Sequence, residues 1–174
     1  MEKLKEKKLY LMCGIPGSGK SYWIRENTSG NDVAVISRDE IRFSVLSDDD
    51  EYFSREHTVW RLYVTKAQEA LDNPTIKDVV LDATHLNEAS RKKILNALTI
   101  DKEKVSICSI VMTTPLDVAL MRNSKRKGRS YVPERAIRNM YDSFTLPKED
   151  EGFDIIYKVA EKGVDENGEE DLAY

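Results

Sequence analysis

Gly14-Ile15-Pro16-Gly17-Ser18-Gly19-Lys20-Ser21 follows an apolar run, Leu9 to Cys13, and precedes a helix-forming run, Tyr22 to Glu26. The octet fits the pattern G-x-x-x-x-G-K-[ST], and its chemistry follows from its residue types. Glycines allow a tight turn and let backbone N–H groups approach an anion without interference from Cβ atoms. Together with the positive end of the following helix, those N–H groups form a concave cradle for phosphate. Lys20 adds a compact positive charge for the outer phosphates, and the Ser21 hydroxyl is placed to bind Mg²⁺. Gly14, Pro16, Gly17, Ser18, Gly19, Lys20 and Ser21 are therefore the candidate nucleotide-binding residues.

Outward from this loop, strand and helix signals alternate. Leu9–Cys13 reads as a strand buried on both faces of a parallel sheet. Val33 to Ser37 is the second strand, followed at once by the charged group Arg38-Asp39-Glu40-Ile41-Arg42. There Asp39 suits a helix N-cap or first turn, and Arg42 shares its face. Ser47 to Glu51 is an acidic interruption. Phe53, His57, Trp60, Val64, Ala67 and Leu71 then repeat at spacings of three and four, which predicts a long amphipathic helix ending at Asn73-Pro74. His57 and Trp60 fall on its inward stripe as core or boundary residues.

Val79 to Leu81 is the third strand, and it runs into Asp82-Ala83-Thr84-His85-Leu86-Asn87. Polar residues at the carboxyl end of such a strand face the crevice where ligands bind. Asn87 caps a helix over 88–98, Val105 to Met112 is the fourth strand, and Pro115 opens a helix to about Ser124. Pro133 opens another to about Phe144, and Phe153 to Val159 is the last strand. The expectation is one α/β domain over residues 1–160, with a five-stranded, mostly parallel sheet. A helical hairpin at about 122–144 is expected to form a lid over the loop.

The bulk numbers agree with a single soluble domain. The chain has 174 residues, 40% hydrophobic and 33% charged. Its two cysteines, Cys13 and Cys108, lie in apolar runs and read as buried free thiols, without disulfide or metal-ligand spacing. Met1 to Lys8 holds no signal-peptide core and no run reaches membrane-spanning length, so a cytoplasmic protein is expected. Net charge is −4, with six acids against one lysine in residues 161–174 and seven Lys/Arg against one Glu in 122–138. The acidic tail is expected to be disordered or loosely held. The basic segment points to a local anionic ligand rather than a surface that coats nucleic acid.

A phosphate loop serves kinases, GTPases and motors alike. The chain contains no Asn-Lys-x-Asp guanine-recognition run and is short for a motor. A kinase needs an acid beside the acceptor hydroxyl and cations over the transferred group. Asp39 is the candidate for the first role, with Arg42 one turn away to hold an acceptor phosphate. Arg122 and Arg126, taken as sharing one face of a continuing helix, are candidates for the second.

These motifs, with Ser37-Arg38-Asp39, Asp82–Asn87, Arg122-Asn123-Ser124-Lys125-Arg126 and Val132–Tyr141 in the same order, resemble the kinase domain of bacteriophage 5′-hydroxyl polynucleotide kinases and their P-loop relatives. The resemblance spans roughly residues 8 to 159. It implies a P-loop kinase three-layer sandwich and Mg²⁺-assisted transfer of the γ-phosphate of ATP to a 5′-OH of RNA or DNA. Lys20, Asp39 and Arg126 would then be catalytic, with Asp39 as general base. Arg122 and Arg126 would hold ATP phosphates, while Arg38, Arg42, Asp82, Thr84 and His85 would face the acceptor.

Two departures stand out. Some relatives carry an acid where this chain has Ala83; Asp82, one residue earlier, is a candidate either to substitute for it or to serve Mg²⁺ through water. No Asp-x-Asp-x-Thr phosphatase run is present, so a separate phosphatase, and a ligase, are expected partners; homo-oligomers are compatible with the family. A kinase for a small hydroxyl metabolite and a nucleotide-binding regulatory module are the alternatives.

Overall fold

The computed structural model describes residues 4–160, so the acidic run 161–174 lies outside the described residues. The apolar run Leu9–Cys13 is the inner part of β1 (Lys7–Cys13), where Leu9, Leu11, Met12 and Cys13 are buried. A strand that apolar on both faces belongs in the middle of a sheet covered on two sides. There it lies, between β3 (Asp78–Asp82) and β4 (Val105–Met112). With β2 (Val33–Ser37) and β5 (Ile155–Val159) the order is β2-β3-β1-β4-β5. Every pairing is parallel, where the sequence predicts a mostly parallel sheet.

Alternate residues of the central strands feed two cores. Leu9, Leu11, Val79 and Leu81 pack with Val59, Tyr63 and Ala67 of α3 (Glu56–Asp72) and Ile94 of α4 (Glu88–Ala97). Met12, Val80 and Ile110 pack on the other side with Ile24 of α1 (Lys20–Asn27). A third cluster, Ile15 with Ala119 of α5 (Leu116–Ser124) and Ile137 of α6 (Glu134–Ser143), ties α5 and α6 to the loop after β1.

Local signals set several boundaries. Ser37 caps α2 (Arg38–Val45) by accepting from Glu40 N at 3.3 Å, which leaves Asp39 in the first turn rather than at the cap. Asn87 and Ser90 form a reciprocal capping box at the start of α4. The last strand starts two residues later than predicted. Phe153 is buried ahead of it, and Asp154 accepts from Ile107 N at 2.8 Å to seat the incoming chain.

The phase of α3 differs from the sequence reading. Its buried face is Val59, Tyr63, Ala67, Ala70 and Leu71, so His57 points to solvent and Trp60 sits on the flank, partly buried. Phe53 precedes the helix and is 65% exposed. Residues 53 and 57 obey helical spacing, but the helix begins only at Glu56, and Tyr63 carries the core contact instead.

One buried ion pair closes the domain. Arg91 Nε and Nη2 donate to Glu151 at 2.6 and 2.9 Å, with both side chains out of solvent. Arg91 Nη1 also donates to the carbonyls of His85 (3.1 Å) and Thr145 (2.9 Å), while Glu151 accepts from Lys148 N. The pair thus joins α4, the loop after β3 and the segment after α6. Arg91→Met would strand a buried carboxylate, and a loss of about 3–5 kcal/mol is expected in urea denaturation. Arg91→Met combined with Glu151→Met should recover most of it; a double variant no better than the single would contradict this account.

Candidate active site

The carboxyl ends of β1 and β3 open into a cavity of about 1620 Å³. Its floor is the loop Gly14–Ser21. Gly17 and Gly19 hold φ values of 81° and 92°, in the left-handed region that glycine tolerates. At Gly17 the lack of a side chain is also a packing requirement, since a Cβ would lie 2.5 Å from the carbonyl oxygen of Ala119. At Gly14 a Cβ would meet Ser18 Oγ at 2.6 Å. No side chain caps α1, so its first N–H groups face the loop's concavity.

Pro16, Gly17, Gly19, Lys20 and Ser21 line the cavity; Gly14 and Ser18 are buried behind it and shape the loop. Ser18 Oγ is buried without a hydrogen-bond partner. The ammonium of Lys20 donates to the carbonyls of Gly14 (2.8 Å) and Ile15 (2.9 Å). Burial lowers its pKa to about 8, against the pull of Asp82 and Asp39 and with the push of Arg126. Asp82, at the end of β3, is raised by burial, partly offset by Lys20 and reinforced by Asp39 and Glu40. Lys20, Asp39, Asp82 and Arg126 therefore share one field.

Asp39 lines the same cavity with its side chain 65% exposed. Its Oδ1 accepts from Arg42 Nη1 and from the Tyr52 hydroxyl, the latter at 2.9 Å. Arg42 is buried: Nε donates to Glu56 Oε1 at 2.6 Å, and Nη1 also donates to the Tyr52 oxygen at 2.8 Å. The other Glu56 oxygen accepts from Arg38 Nη2 at 3.0 Å. Glu56 is partly buried, which favours its neutral form, yet Arg42 and Arg38 hold its carboxyl below the ordinary range. Burial, aided by Asp39, pushes the Tyr52 hydroxyl up to about 12, so it stays a donor. Arg42 thus bonds Asp39, Tyr52 and Glu56, and it lines the cavity in which the sequence expects it to meet an acceptor phosphate.

Three other expectations are refined. Arg122 and Arg126 both line the cavity, but α5 ends at Ser124, so they do not share a helix face. Arg122 Nη1 approaches Gly17 O at 3.4 Å, and Arg126 Nη1 approaches Ser130 O at 3.5 Å. Asp82 and Thr84 reach the cavity; His85 does not. His85 is buried at φ 39°, with Nδ1 2.6 Å from Met12 O and Nε2 3.2 Å from the Tyr63 hydroxyl. A carbonyl only accepts, so Nδ1 carries the proton and Nε2 accepts from Tyr63. Burial lowers its pKa to about 4, which keeps it neutral. It props the end of β1 from behind the cavity lining. Glu56 and Tyr52 escape the sequence reading; the only hint of Glu56 is an acid in the first turn of α3.

A family model described as AAA domain matches residues 9–147. The chain belongs to that family. It is similar to L-seryl-tRNA(Sec) kinase of Methanococcus maripaludis, 28% identical over 147 residues, covering 80% of this chain and 53% of the relative. The chain thus spans about half the length of that curated relative. A chain of the Pnkp1/Rnl/Hen1 RNA repair complex superposes with a TM-score of 0.67 at 23% identity, covering 81% of this chain and 45% of that one. A gluconokinase from Sinorhizobium meliloti 1021 gives 0.55 at 18% identity, over 89% and 83%. The fold is that of the P-loop kinases.

The residues suit a nucleoside triphosphate: the uncapped start of α1 and the cations Lys20, Arg122 and Arg126 line one concavity, with the orphan Ser18 Oγ buried behind it. Ser21 Oγ and the Asp82 carboxylate are hard oxygen donors suited to Mg²⁺. Among the described residues no group of three or more His, Cys, Asp or Glu side chains is placed to hold a metal ion. No helix of the described residues is long and apolar enough to cross a membrane.

Lys20→Met provides a test of this electrostatic account. Below about pH 8 Lys20 is protonated in folded and unfolded chains alike, so the cost of burying its charge is complete. Between about 8 and 10.5 the unfolded chain holds the extra proton, and wild-type stability gains on the variant as pH rises. Lys20→Met is therefore expected to melt above wild type at pH 7, with the gap closing toward pH 10. A gap that widens with pH in thermal melts would refute it.

Proposed function

We propose that this protein is an ATP-dependent kinase that transfers the γ-phosphate to a 5′-hydroxyl end of RNA or DNA. The observation that carries the reading is Asp39. Its carboxylate, fixed by Arg42 and Tyr52, faces the cavity that Lys20 and Ser21 also line. A general base on one side of a phosphate cradle is what in-line phosphoryl transfer requires.

In this scheme the loop N–H groups and Lys20 hold the β- and γ-phosphates, with Arg122 and Arg126 above them. Ser21 and Asp82 would hold Mg²⁺, which would supply charge neutralisation at the phosphates. The acceptor hydroxyl donates to Asp39. As its oxygen bonds to the γ-phosphorus, the bond to the β,γ-bridging oxygen breaks, Asp39 takes the hydroxyl proton and ADP leaves. Arg42 and Tyr52 keep Asp39 aimed, and Glu56 keeps Arg42 in place. Residues 122–144 act as the lid of a domain over 1–160, and Arg38 and Thr84 border the acceptor.

The RNA-directed names among the relatives and the +6 balance of residues 122–138 favour an anionic polymer as acceptor. Work alongside a ligase and a phosphatase in a cytoplasmic pathway belongs to the same reading. The likeness to a gluconokinase and the Ala83 departure favour the second reading, a kinase of a small hydroxyl compound.

Labelled ATP offered with 5′-OH oligonucleotides and a metabolite panel separates the two; label on a metabolite alone would end the polynucleotide reading. Asp39→Asn is expected to lower turnover about 10²–10⁴-fold while ATP affinity stays within about twofold. Near-normal turnover would place the base elsewhere.

A further inference from the structure

A wall of aromatic rings runs outward from Asp39, and of it the scheme above uses only the Tyr52 hydroxyl. Tyr52 donates to Asp39 at its hydroxyl end, and its ring lies 4.5 Å from the Arg42 guanidinium. Phe53 stands edge-on to Tyr52, with centroids 4.6 Å apart and planes at 86°. Phe43 of α2 meets Tyr52 from another side at 6.3 Å, and the Arg129 guanidinium lies over it at 5.6 Å. All of these residues line the cavity. Phe53 is 65% exposed, a large apolar ring left open in the wall of a binding cavity.

We infer that Phe53 is a stacking platform for the nucleobase of the acceptor's 5′-terminal nucleotide, with Tyr52 linking that platform to the general base. The inference rests on the polynucleotide reading and narrows it. In an in-line transfer the acceptor oxygen, the phosphorus and the leaving oxygen are collinear. The donor nucleoside therefore lies across the phosphorus from Asp39. Rings attached to Asp39 itself through the Tyr52 hydroxyl lie on the acceptor's side. A flat apolar face suits a base of any identity, which matches end recognition without sequence preference. Arg129 stands at the rim, paired at 3.0 Å with Asp48, whose side chain is wholly exposed. A phosphodiester can replace so solvated a partner at little cost.

The test compares two oligonucleotides that differ only in whether the 5′-terminal residue carries a base, with wild type, Phe53→Ala and Phe53→Trp. Wild type is expected to phosphorylate the base-bearing end with a KM about tenfold below that of the abasic end. Phe53→Ala should erase that preference and leave the KM for ATP unchanged, and Phe53→Trp should restore it. Wild type that phosphorylates both ends equally well would sink the stacking platform while leaving the polynucleotide reading standing. A rise in ATP KM in Phe53→Ala would move the ring to the donor side and overturn the inference. Wild type that labels neither oligonucleotide would remove both.

Discussion

The close approach of α5 to the phosphate loop is the contact on which the rest of the site depends. Gly17 meets the Ala119 carbonyl where no Cβ fits, and Ile15 packs with Ala119 and Ile137 beneath it. Arg122 follows Ala119 by about one turn of α5 and so comes to the Gly17 carbonyl. A bulkier residue at 17 would push α5 away, and with it the root of the basic segment. The loop is thus both an anion cradle and the seat of the element above it.

Charge is the second organising constraint. Burying a cation is costly unless its partners are fixed. Glu56 serves two arginines at once, and so decides that Arg42 faces Asp39 and that Arg38 lies against Trp60, 5.6 Å from its ring. Lys20 has no carboxylate bonded to it; its bonded partners are loop carbonyls, and Asp82 and Asp39 act on it only through space. Its charge is therefore held less tightly than that of Arg42.

Local signals carried most of the fold. The apolar run of β4, the caps at Asn87 and Pro115 and the loop octet all act within a few residues, and their positions agree with the structure. What depended on distance was not legible. Phe53 and His57 keep helical spacing with Trp60, but only the start of α3 at Glu56 sets the phase, and that start is fixed by pairing with Arg38 and Arg42. His85 sits in a strand-end loop whose neighbours Asp82 and Thr84 reach the cavity; its inward turn needs Tyr63 and Met12, which no spacing rule reveals. Arg91 and Glu151 are sixty residues apart.

The octet takes its shape from residues far along the chain. Gly14 N donates to Thr84 O at 2.9 Å, and Thr114 Oγ1 donates to Ser18 O at 2.8 Å. Met112 and Ala119 close on Gly14 and Gly17. During synthesis the loop is made early and completed late, because its walls are not available until residues beyond 119 have emerged. Until then β1 also lacks its β4 partner. A growing chain therefore carries the phosphate-loop sequence without a complete phosphate site until residues beyond 119 have followed it, and nucleotide can reward folding only after that.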